Sequence, residues 1–297
     1  MMKQFQGLDF ASELDSLRPA LRLDRRGFIA GTLASGFALA AGPVCADTVV
    51  KTPDTGLETG MVDVPAKDGK LPAYYAMPAG KTGLPLVLVV HEIFGVHEYI
   101  KDVCRRLAHQ GYMAVAPQLF FRQGDPSRYT EIAPLFQEVV SKVPDAQVMA
   151  DLDASAAWAG VNGADTSRVA ITGFCWGGRI VWLYAAHRPG LKAGVAWYGR
   201  LDGRSDDLHP KQPVDVIGAL KAPVLGLYGG KDTGIPVMSV EVMEMKLMDG
   251  SEAAADSRFH IYPEAGHAFH ADYRPTYRKD AAEDGWRRTL AWFGEYL

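Results

Sequence analysis

The residues best suited to chemistry in this chain lie around Cys175, in the run Gly173-Phe174-Cys175-Trp176-Gly177-Gly178. A short apolar stretch of β character, 169–174, leads into it, and an apolar segment of helical length, 180–187, leads out. That order reads as strand, sharp turn, helix. A nucleophile on such a strained turn needs neighbours two residues away that lack side chains, because the backbone doubles back there; Gly173 and Gly177 meet that demand. Cys175 then stands clear of the sheet. The start of the following helix aims its free N–H groups at the sulfur and offers the Trp176 N–H to a developing oxyanion. A buried structural cysteine in a glycine-rich turn is the plainer alternative.

Two further residues complete a set. Cys175 is followed along the chain by Asp232, in Gly229-Gly230-Lys231-Asp232, and then by His267, in Glu264-Ala265-Gly266-His267-Ala268-Phe269-His270. Nucleophile, acid and histidine in that order, each just past a strand-like run, is the triad order of α/β hydrolases. His267 is placed to take a proton from the thiol or from water, since an unperturbed imidazole of pKa about 6.5 both accepts and donates near neutrality. Asp232 then accepts the other ring N–H and fixes the tautomer. His270 is the rival base, whereas His187, His209 and His260 read as surface or packing residues.

The elements that must position these residues follow from the apolar pattern. Strand-like runs at 73–77, 86–90, 113–117, 169–174, 193–198, 224–228 and 259–262 are interleaved with helical patterns at 98–110, 146–158, 176–187, 237–248 and 277–296. Several of the strands are apolar without alternation, as in a mostly parallel sheet covered by helices on both faces. The order predicts one α/β domain over 47–297 with no internal repeat. Ligands in such sheets bind outside the carboxyl ends of the strands. The segments 91–95, 118–125, 229–232 and 264–270, together with Cys175, all fall on that edge.

With 48% hydrophobic and 22% charged residues among 297, the chain can bury a sizeable core. A formal net charge of −4 and the lack of a basic stripe argue against a nucleic-acid partner. The three cysteines, Cys45, Cys104 and Cys175, form no CxxC pair and no cluster with histidine, so neither a disulfide framework nor a metal site is expected, and no cofactor is implied. Cys104 falls on an apolar stripe with Ile100, Val103 and Leu107 and reads as buried and inert. Residues 21–46 carry Arg25-Arg26 before a Gly/Ala-rich apolar run that closes on Pro43-Val44-Cys45-Ala46. This resembles a twin-arginine export signal cleaved after Ala46, which places the mature chain in the periplasm. The run 27–41 is short and weakly apolar against the roughly 20 residues of a membrane span, so no membrane association is expected after cleavage. The mature chain is expected to be a monomer.

Four segments together, His91-Glu92-Ile93-Phe94-Gly95, the Cys175 run, the Asp232 run and Ala265-Gly266-His267-Ala268-Phe269, resemble the dienelactone hydrolase family, also called carboxymethylenebutenolidases, over roughly 61–297. The resemblance implies an α/β-hydrolase fold and the opening of an enol-lactone, dienelactone to maleylacetate, through a thioester on Cys175. It implies that Glu92 keeps the resting thiol neutral and swings to take its proton when a lactone binds. It gives the Ile93 N–H as the second oxyanion donor beside Trp176, and Phe94 as an apolar contact for the substrate. Of the two arginines that hold the substrate carboxylate in the family, Arg122, in Leu119-Phe120-Phe121-Arg122-Gln123, matches the first. The second position is Ala271 here, with Arg274 three residues on as a stand-in. A broader carboxylesterase or lactonase is the alternative among enzymes. A catalytically silent relative that only binds a ligand is the alternative outside them.

Overall fold

The computed structural model describes residues 49–297, and eight strands in it form one sheet. These are β1 (Leu57–Ala66), β2 (Gly69–Pro78), β3 (Leu84–Val90), β4 (Met113–Pro117), β5 (Ala164–Phe174), β6 (Leu191–Trp197), β7 (Val224–Gly229) and β8 (Arg258–Tyr262). Across the sheet they run β1-β2-β4-β3-β5-β6-β7-β8. All neighbours from β4 to β8 are parallel, and β2 is antiparallel to both β1 and β4. The helices are α1 (Glu98–His109), α2 (Ile132–Glu138), α3 (Asp145–Val161), α4 (Trp176–His187), α5 (Val237–Leu247), α6 (Glu252–Asp256) and α7 (Lys279–Tyr296). α1 packs on β2 and β4, α3 and α4 lie side by side over β5, and α7 lies on β6 and β7.

This is the α/β order expected from the apolar pattern, and the α/β-hydrolase fold that the resemblance implies. The central strands read as unbroken apolar runs because helices cover them, so successive side chains on opposite faces are all buried in β4 and β7. β1 has no such run. It lies at the sheet edge with exposed Glu58 and Asp63 and turns into β2 through Lys67 and Asp68, so its apolar residues are sparse and its strand character was not legible. Likewise α2 and α6, at 7 and 5 residues, are too short to show a helical period. The export-signal reading falls on residues outside those described. Among the described residues no helix is long and apolar enough to cross a membrane.

Register decides where the loops emerge. Val90 of β3 pairs with Gly173 of β5, Phe174 with Trp197 of β6, Trp197 with Leu227 of β7, and Gly229 with Tyr262 of β8. The carboxyl ends of five strands therefore stop level with one another, and the loops that follow them meet. Two ion pairs pin the surroundings. Arg179, one turn into α4, makes a bidentate pair with Asp145 at the start of α3, at 2.7 and 2.8 Å, and both side chains are buried. Arg106 of α1 bridges Asp102 and Asp272, each at 2.6 Å, and ties the segment after His267 to α1.

Cys104 is fully buried in α1, and burial pushes its thiol well above the usual cysteine range. Cys104 and Cys175 are both free thiols.

Candidate active site

Cys175 occupies the turn between β5 and α4 with φ 55° and ψ −116°, a left-handed backbone that a residue with a Cβ adopts only under constraint. The constraint is visible on both sides. A Cβ on Gly173 would lie 2.3 Å from the Gly177 carbonyl oxygen, and one on Gly177 would lie 2.4 Å from the Val90 carbonyl oxygen. Only glycine lets the chain double back this tightly. The Cys175 N–H donates to the Trp197 carbonyl at 3.0 Å, and the Cys175 carbonyl accepts from the Gly178 N–H at 2.9 Å, so the elbow is tied to β6 and to α4 at once.

Asp232 and His267 converge on it from the ends of β7 and β8. The His267 Nδ1–H donates to Asp232 Oδ2 at 2.7 Å; the carboxylate can only accept, which places the proton on Nδ1. The other oxygen, Oδ1, accepts from the Gly234 and Ile235 N–H groups at 2.9 and 3.2 Å, so the acid cannot swing away. Nε2 of His267 is buried, with the Cys175 side chain as its neighbour. Burial opposes charge on this ring. The charges of Asp232 and Cys175 outweigh it and hold His267 well above the ordinary histidine range, so the ring is set to receive a proton.

His270, the rival base, is used elsewhere. Its Nδ1 accepts from the Tyr99 hydroxyl and its ring packs on Phe174 and Trp197, and burial holds it neutral.

Glu92 is buried just past the end of β3. Its Oε2 accepts from the Tyr273 hydroxyl at 2.7 Å and lies 3.4 Å from Nε2 of His97. Its Oε1 makes no hydrogen bond among the described residues, and none joins the carboxylate to the Cys175 thiol. Burial alone would raise this carboxyl; His97, the charge of Arg274 and the Tyr273 hydroxyl outweigh it and keep Glu92 below the usual glutamate range. In this arrangement the Glu92 carboxylate is held by Tyr273 and His97 and not by the thiol.

Ile93 follows β3 and Trp176 opens α4. No carbonyl among the described residues takes either backbone N–H. The loop carrying Ile93 is fixed by His91, whose Nδ1–H donates to the Glu92 carbonyl at 2.6 Å while Nε2 accepts from the Leu119 N–H at 3.2 Å. Burial lowers His91 to about 4, so it stays neutral and keeps both bonds. Phe94 on this loop lies under the Arg274 guanidinium, 5.9 Å from ring centroid to Cζ. Arg274 is buried, and its charge acts on Glu92.

Arg122 is not. Its guanidinium is bidentate to Asp151 at 2.7 and 3.0 Å and binds both oxygens of Asp68 in the β1–β2 turn. Two carboxylates already neutralise it, so its reading as a clamp for a substrate carboxylate is corrected. Arg122→Gln is expected to leave KM for a carboxylate-bearing lactone within about twofold. It would lower stability by about 2 kcal/mol, because Asp151 is buried and loses its partner while Asp68 remains open to water. A urea titration beside a KM measurement separates the two roles; a KM raised tenfold at unchanged stability would restore the clamp.

Tyrosines also line the site, and no sequence pattern singled them out. Tyr198, directly after β6, is fully buried with φ 38°, and its ring stands edge-on to His267 at 5.2 Å. Tyr273 holds Glu92. The signal for Tyr198 was its place at the end of a central strand, where the register sets it beside Cys175. Among the described residues no group of three or more His, Cys, Asp or Glu side chains is arranged to hold a metal ion.

The arrangement is that of a hydrolase site, and the chain's relatives agree. The family model described as dienelactone hydrolase matches residues 71–297. A Methylorubrum extorquens protein, provisionally named a carboxymethylenebutenolidase, is 59% identical over 289 residues, covering 97% of this chain and 98% of its own length. An Escherichia coli protein of the same provisional name is 55% identical over 269 residues, covering 90% and 98%. A crystal structure from Klebsiella pneumoniae, provisionally named a dienelactone hydrolase, superposes with a TM-score of 0.78 at 56% identity and covers 81% of this chain and 99% of that one. Fold, site and relatives place this chain in the dienelactone hydrolase family of carboxylic ester hydrolases.

Proposed function

We propose that the chain opens an enol-lactone through a thioester on Cys175, with His267 and Asp232 completing the triad. The observation that supports this most directly is the buried line from the strained Cys175 through Nε2 of His267, which has no other partner, to the doubly anchored Asp232. The thiol passes its proton to Nε2, and the sulfur attacks the carbonyl carbon to form a C–S bond. The carbonyl oxygen takes the displaced electron pair and is met by the N–H groups of Ile93 and Trp176. On collapse the acyl–oxygen bond breaks, the leaving oxygen carries off the electron pair, and the imidazolium supplies its proton. Water then gives a proton to His267 while its oxygen attacks the thioester carbon, and cleavage of the C–S bond returns the thiol. From dienelactone the product is maleylacetate. Glu92 would have to leave Tyr273 and His97 to take the thiol proton, so the first transfer is assigned to His267.

A second reading, a broader carboxylesterase or lactonase, is favoured by one observation. Arg122 is occupied by two carboxylates and position 271 is alanine, which leaves Arg274 to meet a substrate carboxylate. Ultraviolet decay of dienelactone, followed beside hydrolysis of 4-nitrophenyl acetate by the same protein, distinguishes them. Fast decay supports the enol-lactone. No decay with retained ester hydrolysis moves the substrate class to the second reading, and neither reaction would refute both.

A further inference from the structure

Ile93 and Trp176 belong to different loops, and two N–H groups can meet one oxyanion only if they are held in a fixed relation. One residue is in contact with the peptide of the first and the ring of the second. His91 is fully buried and donates from Nδ1 to the Glu92 carbonyl at 2.6 Å. That carbonyl and the Ile93 N–H are the two ends of a single planar peptide unit, so a donor fixed on the oxygen sets the direction of the N–H. The Gly95 N–H also reaches the Glu92 carbonyl, but at 3.4 Å, so the shorter bond from His91 dominates. A donor on the oxygen also polarises the peptide and strengthens its N–H.

The same residue packs on the second donor's segment. Its ring lies stacked on Trp176, with centroids 5.6 Å apart and planes at 16°, and Phe120 closes the group edge-on to both rings, 4.7 Å from each. A Cβ on Gly177 would lie 2.7 Å from the His91 carbonyl oxygen, so the start of α4 sits directly on this backbone. Nε2 of His91 accepts from the Leu119 N–H at 3.2 Å, which requires the neutral tautomer with its proton on Nδ1. Burial keeps the ring in that neutral form.

We propose that His91 is the positioning residue of the oxyanion site: its Nδ1–H holds the Glu92–Ile93 peptide plane, and its packing on Trp176 and Gly177 keeps the two N–H donors aimed at one point. This rests on the thioester reading, in which those N–H groups meet the oxyanion, and adds to it the residue that aligns them. His91 itself transfers no proton.

The test uses three substitutions that divide the two hydrogen bonds. In His91→Asn the amide nitrogen takes the place of Nδ1 and keeps the bond to the Glu92 carbonyl, while Leu119 retains its N–H bond to the Pro117 carbonyl at 3.1 Å. In His91→Gln the amide reaches to the place of Nε2 instead, and in His91→Phe a ring remains without either bond. The Gln and Phe variants are expected to lose about 100-fold in kcat for 4-nitrophenyl acetate, the scale of one oxyanion donor, with KM within about twofold. The Asn variant should recover kcat to within about fivefold. A trifluoromethyl ketone reports on the oxyanion directly: the Cys175 sulfur bonds to its carbonyl carbon, the displaced electron pair moves to the oxygen, and the thiol proton passes to His267. Its Ki should rise in the Gln and Phe variants by the factor that kcat/KM falls, and change little in the Asn variant. A purely structural role predicts losses that follow the urea midpoints instead. Equal kcat in all three variants, or a fall in kcat with unchanged affinity for the ketone, would overturn the inference. Where the Gln variant does not fold, the Phe variant, which keeps the volume of the ring, decides by the same readouts. An unsubstituted protein that neither turns over the ester nor binds the ketone overturns the thioester reading and this inference with it, whereas one that does both, beside variants of unaltered ketone affinity, removes the inference alone.

Discussion

Replacing Cys175 by alanine is expected to lower kcat/KM by about 10⁴-fold or more, the scale on which removal of a triad nucleophile acts. The fold should survive. Alanine inherits the same positive φ, so the turn is no more strained than before, and the thiol makes no hydrogen bond that packing depends on. The loss would fall on kcat, since the oxyanion donors and the pocket walls remain. Far-ultraviolet circular dichroism and a urea midpoint would establish the intact fold, and mass spectrometry after mixing with an activated ester would show an acyl adduct on the unsubstituted protein alone. A variant that retained even a tenth of the activity would remove Cys175 from the chemistry. The arrangement of His267 and Asp232 would then need a different nucleophile.

One added methyl group at Gly199 is expected to destabilise the protein by about 3 kcal/mol or more, at the upper end of overpacking costs, and to abolish activity as well. A Cβ there would lie 2.2 Å from the Gly178 carbonyl carbon, 2.4 Å from the Arg179 nitrogen and 2.6 Å from the Gly178 Cα. All three are backbone atoms, so no side chain can rotate to make room. The start of α4 cannot shift either, because Arg179 is fixed by Asp145 and Gly178 donates to the Cys175 carbonyl. Any relief must displace the elbow itself. Gly218→Ala serves as the control, since a Cβ there meets nothing within 4 Å. Chemical denaturation of the two variants should differ by the full cost; equal midpoints would mean that the contact between α4 and the end of β6 is softer than its geometry indicates.

The parts of the site that were legible from the chain alone share a physical property: each is a local demand. Gly173 and Gly177 answer the close approach of a strand-turn-helix reversal only four residues long, so the need for glycine is written at the place where it is felt. The order Cys175, Asp232, His267 was readable because unbroken apolar runs announce buried parallel strands, and residues after such strands share one edge. The glutamate loop was readable only as a resemblance, which said nothing of the Tyr273 and His97 that hold Glu92. Burial of Cys104 followed from helical periodicity within α1.

What stayed hidden depends on pairs distant in sequence. Arg122 finds Asp68 across 54 residues because the β1–β2 turn folds over it, and nothing near Arg122 announces that two carboxylates already hold it. Glu92 is drawn to Tyr273, 181 residues away, by a loop whose position is set through Arg106 and Asp272. Tyr198 gains its place from the pairing of β5 with β6, which sets it beside the elbow. By itself the sequence determined the fold class, the glycine-flanked turn at Cys175 and the edge on which Cys175, Asp232 and His267 gather, because backbone sterics and hydrophobic periodicity act over a few residues. Only the tertiary structure decided which charges are already neutralised, because electrostatic pairing and hydrogen bonding act between whatever groups the register brings together, however far apart they stand along the chain.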